Sequence, residues 1–203
     1  MRKITVLAMM SLDGVIQSPG GKKEDVSNGF KYGGWVAPFS DATYNEVVKK
    51  ELAPAAYLLG RKTFEMWSKY WPQHDEIWPG INKGMKYVFS KKLKNTDPLI
   101  KNWAHSTVVP TIASIKKLKQ SKGPHLHVWG SSELIQQLLK HDLVDELRLK
   151  IHPIILGKGK KLFGSGAIPV AFKLKESITT SKGVIIASYQ RNGSVKTKDI
   201  DAG

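Results

Sequence analysis

The stretch Ile4–Leu12, ITVLAMMSL, is apolar at nearly every position. A strand with one wet face alternates apolar and polar residues, whereas an unbroken apolar run fits a strand covered on both faces. Such a strand belongs inside a mostly parallel sheet with helices packed on either side, so this segment narrows the fold before anything else is read. The rest of the chain agrees. Further apolar runs, AAYLL, MKYVFS, HSTVV and HLHVWG, alternate with segments of helical spacing. SDATYNEVVKKEL carries Tyr44, Val47, Val48 and Leu52 on one stripe, with Ser40 or Asp41 as its cap. TIASIKKLKQS places Ile112, Ile115 and Leu118 three apart, and SSELIQQLLKHDL turns Leu134, Ile135, Leu138 and Leu139 inward. VDELRLKIHPIIL opens a long strand of alternating character. Two last strands, around Val170–Leu174 and Val184–Tyr189, have no helix between them, which predicts antiparallel additions to one edge. The expected fold is therefore a three-layer α/β/α domain over 1–191 with a mostly parallel central sheet, and 192–203 form a polar tail.

Composition excludes several classes of function. The 203 residues contain no cysteine, which removes disulfide frameworks, thiolate zinc sites and cysteine catalysis, and which suits a reducing cytoplasm. No apolar run reaches the roughly 18 residues of a membrane span. The apolar stretch after the basic N-terminus meets Asp13 and Gly14 without a small-x-small cleavage site, so it reads as a strand rather than a leader. His125 and His127 lack partners at ligand spacing, and no metal site is expected. The net charge of +15 admits nucleic acid, an anionic surface or a phosphorylated ligand as partner. The lysines are dispersed, and no RNP-like aromatic pair or helix-turn-helix accompanies them. A basic nucleic-acid-binding module is thus the alternative class, and it predicts steeply salt-dependent binding.

Three junctions carry the chemistry. AAYLLG-RKT joins an apolar strand through Gly60 to Arg61, Lys62 and Thr63, and HLHVWG-SSEL joins another through Gly130 to Ser131, Ser132, Glu133 and Leu134. YVFS-KKLKN ends a third strand in Ser90 and Lys91. Helix N-termini expose unpaired N–H groups and the positive end of the dipole, and ligands of open α/β sheets lie beyond the carboxyl ends of the strands. Glycine before a capped helix is also the ordinary tight turn, so each junction alone is weak. Three together point to an elongated ligand with separated phosphates, a dinucleotide. Neither G-x-G-x-x-G nor a P-loop is present; GKGKKLFGSG lacks the P-loop spacing.

In order, SLDGVI, LLGRKTFEMW, YVFSKKL and VWGSSELIQQLLKHDLVDELRLKIHPIILGKGKKLF resemble the dihydrofolate reductase superfamily. The nearer branch is the reductase domain of bifunctional riboflavin-biosynthesis enzymes with its stand-alone relatives, and the likeness runs from about Lys3 to Tyr189. The resemblance implies an NADPH-dependent reductase acting on a small heterocyclic or conjugated substrate, with a homodimer as a plausible assembly. It implies that Arg61, Lys62 and Thr63 hold phosphates beside Gly60, that Ser90 and Lys91 flank the 2′-phosphate, and that Gly130 to Leu134 cradle the pyrophosphate. Ala8, Met9 and Ile16 would line the nicotinamide pocket. Arg and Lys suit a doubly charged 2′-phosphate, which favours NADPH over NADH. The substrate is expected between the first strand, the 17–34 loop and the helix after Ser40, with Asp13 and Trp35 as contacts and Asp41 as proton source. Two departures stand out: Ser131 replaces the family's second glycine, and no zinc deaminase half is present. Neither Asp41 nor Glu46 stands in the register of the folate enzymes' acidic residue, so folate is not the expected substrate. A member that keeps the fold without the activity has the same sequence signature.

Overall fold

The computed structural model describes residues 1–164 and 166–200. The apolar runs form one eight-stranded sheet: β1 (Ile4–Ser11), β2 (Ala56–Gly60), β3 (Lys86–Phe89), β4 (Ser106–Val109), β5 (Leu126–Val128), β6 (Glu146–His152), β7 (Phe172–Thr179) and β8 (Ile185–Arg191). Their spatial order is β4-β3-β2-β5-β1-β6-β8-β7. The first six run parallel, and β8 then pairs antiparallel with both β6 and β7. Helices α1 (Ala42–Glu51), α2 (Arg61–Tyr70), α3 (Pro79–Lys83), α4 (Pro98–Lys101), α5 (Ile112–Gln120) and α6 (Ser132–Lys140) cover the faces. The expected three-layer α/β/α architecture with an antiparallel C-terminal edge is the observed one.

Strand alternation divides the core. On one face Ile4, Val6, Ala8 and Met10 of β1 and Leu58 of β2 pack against Ile115 of α5 and Leu134, Ile135 and Leu138 of α6. On the other, Tyr57 and Leu59 meet Phe64 of α2, Ile81 of α3, Ile100 of α4 and the indoles of Trp78 and Trp103. A smaller cluster, with Val15, Trp35, Val36, Tyr44 and Ile186, lies under α1. No helix among the described residues is long and apolar enough to cross a membrane.

Two features depart from the sequence pattern. The last edge strand extends to Thr179 rather than stopping near Leu174. Its sequence, FKLKESIT, carries three charges, is mostly exposed and has an irregularity between Leu174 and Glu176, devices that protect a sheet edge while hiding its strand signal. The alternation in β6 predicts a polar, solvated face, yet Lys150 and His152 on that face are fully buried. Lys150 is ion-paired with Glu51 at the end of α1, itself only 4% exposed. Burial pulls the Lys150 ammonium below its ordinary pKa, and the Glu51 carboxylate opposes that fall. Residues 192–200 form no helix or strand, although Asn192 N–H still donates to Ala171 O at 2.7 Å. The end of the expected tail, residues 201–203, lies outside the described residues.

Removing one partner of a buried ion pair leaves a charge that nothing compensates. Glu51→Ala is expected to destabilise the fold by about 3–5 kcal/mol in urea titration, and the apolar double replacement Glu51→Leu/Lys150→Met by far less.

Candidate active site

Strands β2 and β5 are neighbours, and the chain leaves both at a glycine. Gly60 N–H donates to Gly130 O at 3.0 Å, holding the two turns together. A Cβ on Gly60 would stand 2.2 Å from Ser131 Oγ and 2.8 Å from Ser131 N. A Cβ on Gly130 would stand 2.9 Å from Thr63 Oγ1, and its φ of +150° is one that L side chains rarely adopt. The Gly130–Ser131 peptide is cis. Only glycines let the N-termini of α2 and α6 come this close.

Capping separates these helices from the others. Among the described residues four helices have nine or more residues, and two of them are capped by their own side chains: Asp41 caps α1 and Thr111 caps α5. The other two, α2 and α6, receive no side-chain cap, since Gly60 has no side chain and Ser131 does not turn back onto its helix. Their first-turn N–H groups and both positive dipole ends therefore converge on one place with nothing of the protein's own to satisfy them.

Three cavities run in a row past this point. The first, about 760 Å³, is walled by Gly60, Arg61, Lys62, Ser90, Lys91, Lys92 and Leu134 at the carboxyl ends of β2 and β3. The second, about 200 Å³, shares Lys62, Ser131 and Glu133 with the first and adds Ile16, Thr63, Gly130 and Ser132. The third, about 710 Å³, shares Met66, Trp67, Trp129, Pro19 and Glu24 with the second and is otherwise apolar, with Met9 on its floor. The structure thus brings together Met9, Ile16, Gly60 to Thr63, Ser90, Lys91 and Gly130 to Leu134 of the expected set. In detail, Arg61 Nη1 is paired with Glu65 Oε1 at 2.6 Å, one turn along. Ser90 Oγ accepts from the Lys92 and Leu93 N–H groups at 3.1 and 3.0 Å, which leaves its hydroxyl hydrogen to donate outward.

Four expected residues are placed elsewhere. Ala8 faces the α5–α6 layer, and its neighbour Met9 points the opposite way into the third cavity. Trp35 is buried in the cluster under α1, its indole N–H donating to Gln17 O at 2.8 Å. Asp13 takes the Ser11 hydroxyl and the Leu156 and Gly157 N–H groups, which together hold its carboxyl below the usual range and tie it to a neighbouring loop. Asp41 accepts from Tyr44 N–H at 2.8 Å, Ser181 Oγ at 2.7 Å and Lys182 N–H at 3.2 Å. The Tyr44 N–H first and the Ser181 hydroxyl next bring its pKa down to about 2. A carboxylate so held is a helix cap and holds no proton to donate near neutral pH.

A carboxyl that sequence reasoning passed over, Glu24, stands where the second and third cavities meet. Its loop is stitched in place: Ser18 Oγ donates to Gly21 O and accepts from Asp25 N–H, and Gln17 Nε2 donates to Asp25 O and Ser27 O. Glu24 Oε2 accepts from the Gly20 and Gly21 N–H groups at 2.8 and 3.2 Å, while Oε1 makes no hydrogen bond among the described residues. It borders both the second and the third cavity. Burial pushes its pKa up, against the pull of the two backbone N–H groups. The adjacent Asp25 is by contrast engaged by Lys160 and Ser27. No group of three or more His, Cys, Asp or Glu placed to hold a metal occurs among the described residues.

The sheet order and its helical layers define a dihydrofolate reductase-like fold. The same fold is seen in a putative riboflavin biosynthesis protein from Shewanella sp. PV-4, with a TM-score of 0.64 and 21% identity over 94% of this chain and 99% of that one. It is seen also in dihydrofolate reductase from Enterococcus faecalis, a structure complexed with NADP(H), with a TM-score of 0.58 and 14% identity over 94% and 96% of the two chains. Within this class, residues 2–186 match the RibD C-terminal domain family, and the chain belongs to it. The uncharacterized protein YyaP of Bacillus subtilis (strain 168) is 29% identical over 198 residues, 95% of this chain and 96% of that protein. YwjB of the same organism is 28% identical over 164 residues, 80% of this chain and 83% of YwjB.

Gly60→Ala drives a methyl into the Ser131 backbone and is expected to destabilise the protein by about 1–3 kcal/mol, measured by urea denaturation. Glu24 gives a pH test. Because its folded pKa is raised, the penalty for ionising it is absent below the unfolded value of about 4.3 and sets in as pH rises through the folded value. Glu24→Gln should therefore raise Tm at pH 7, and calorimetry across pH should show the difference closing near pH 4.

Proposed function

We propose that the protein is an NADPH-dependent reductase that delivers a hydride to a small conjugated or heterocyclic substrate. The observation that carries this reading is the pair of adjoining helix N-termini, both without side-chain caps, set between a cation-lined cavity and an apolar one. The fit to a dinucleotide is chemical. Unsatisfied N–H groups and two dipole ends suit a pyrophosphate at Gly130 to Leu134 and Thr63, and the glycine contact leaves room for its close approach. Arg61, Lys62, Ser90 and Lys91 suit further phosphate charge, including a 2′-phosphate. Ile16 and Met9 suit the wall of a nicotinamide pocket. The fold neighbours support the reading, since one is an NADP(H)-complexed reductase and another a pyrimidine reductase-like protein from Corynebacterium diphtheriae, with a TM-score of 0.59 and 14% identity.

When bound, the reduced nicotinamide supplies the hydride. This chain's own part is to position and to protonate. The helix termini and the cations would hold the phosphates, and the tryptophan-lined cavity offers the acceptor an apolar wall. Glu24, whose affinity for a proton burial raises and whose Oε1 makes no hydrogen bond among the described residues, donates the proton that completes the reduction and is recharged from solvent. This role passes from Asp41 to Glu24.

Thermal unfolding with added NADPH is the test. Ligand at 100 times Kd stabilises a protein by about 2.7 kcal/mol, a shift that scanning fluorimetry resolves. NADH is expected to protect less than NADPH. Arg61→Ala and Lys91→Ala should each weaken NADPH about tenfold, equivalent to 1.4 kcal/mol. An unchanged Tm at millimolar NADPH would remove the cofactor from the proposal.

A further inference from the structure

The third cavity differs chemically from the other two. Its walls are the indoles of Trp67, Trp71, Trp78 and Trp129, closed by Met9 and Leu52. The indoles brace one another edge to face: ring centroids lie 5.3 Å apart for Trp67 and Trp78, 5.2 Å for Trp71 and Trp78, and 5.5 Å for Trp78 and Trp129. Rings held in this way present fixed flat surfaces, and a volume of about 710 Å³ is within the range for a drug-sized ligand.

Charge is nearly absent from this wall. Lys23 and Glu24 are its charged lining residues, both on the one loop. Lys23 is exposed, and the negative form of Glu24 repels anions. The buried Lys150 ammonium lies 5.5 Å from the Trp129 ring centroid, and Glu51 is ion-paired with it. Of the cations suited to phosphate, Arg61, Lys91 and Lys92 stand two cavities away, and Lys62 and Lys160 border the second cavity rather than the tryptophan wall. A phosphorylated compound seated on that wall would leave its dianion desolvated against indole rings, a heavy cost that the rings do not offset.

We propose that this cavity binds an uncharged, planar aromatic or quinonoid compound of two or more fused rings, and that it excludes phosphorylated substrates. Stacking on the indoles supplies the affinity, and the exposed Ile77 and Tyr70 form an apolar lip at the entrance. That such a compound is the hydride acceptor rests on the reductase reading; that it binds does not.

Calorimetric titration of the full chain, with tryptophan emission followed in parallel, tests the proposal using 2-naphthol and 2-naphthyl phosphate, which share a ring system and differ in charge. The expected result is that 2-naphthol quenches the emission and binds at least about tenfold more tightly than its phosphate ester. Trp71→Ala should weaken 2-naphthol. Ile77→Arg, at a position where the fold tolerates change, should narrow the preference by gaining affinity for 2-naphthyl phosphate. Equal or tighter binding of the phosphate ester by the unaltered chain overturns the proposal. So does the absence of 2-naphthol binding in protein that NADPH still protects from unfolding, an outcome that leaves the reductase reading intact. Binding of 2-naphthol by protein that NADPH does not protect supports the cavity assignment and removes the reductase reading.

Discussion

The contact between Gly60 and Gly130 is the constraint on which the site depends. Two neighbouring parallel strands end there, and each must turn at once into a helix. Neither glycine has room for a Cβ, which would stand 2.2 Å from Ser131 Oγ at Gly60 and 2.9 Å from Thr63 Oγ1 at Gly130. Because the turns touch, the N-termini of α2 and α6 lie side by side. Because Gly60 has no side chain and Ser131 does not turn back onto its helix, neither helix receives a side-chain cap. A single steric fact thus creates a concentrated positive field at the carboxyl edge of the sheet, where a parallel architecture places its ligands.

Burial of charge organises the opposite flank. Lys150 stands on the strand next to β1, level with Met9, and meets Glu51 from the end of α1. Such a pair contributes little net stability compared with apolar replacements, but it penalises any arrangement that separates its members. The register of α1 against β6 is thereby specified, and with it the position of Val48 and Leu52 in the apolar cavity.

Much of this was legible in the sequence, for definite reasons. ITVLAMMSL reported a doubly covered strand, and the glycine–cation junctions reported the adjoining turns into α2 and α6, because both signals are local. What escaped was non-local. Lys150 reads as the solvated face of an alternating strand until Glu51, ninety-nine residues away, is seen beside it. FKLKESIT hides its strand because an edge needs charge more than alternation. Trp35 sits in a loop, where an aromatic reads as a contact, but the fold turns it inward onto Gln17. Asp41 and Glu24 show the same limit. Both are carboxylates beside glycine-rich or helical segments, and only the third dimension reveals that one is saturated by Tyr44, Ser181 and Lys182 while the other keeps an oxygen free at the meeting of two cavities.

The cap at Asp41 has a mechanical consequence. Its carboxylate grips not only α1 but also Ser181 and Lys182, in the turn between β7 and β8. The far end of the same helix is held by Lys150. A rod pinned at both ends neither tilts nor slides, so the side of the apolar cavity that α1 supplies behaves as a fixed jaw. The 17–34 segment faces it across the cavity, with positive φ at Ser18 and Gly34 and its own hydrogen bonds through Ser18 and Gln17. The shape of the α1 side of the cavity is thereby set by two contacts at the ends of one helix, with Ser181 and Lys150, both remote from it in sequence.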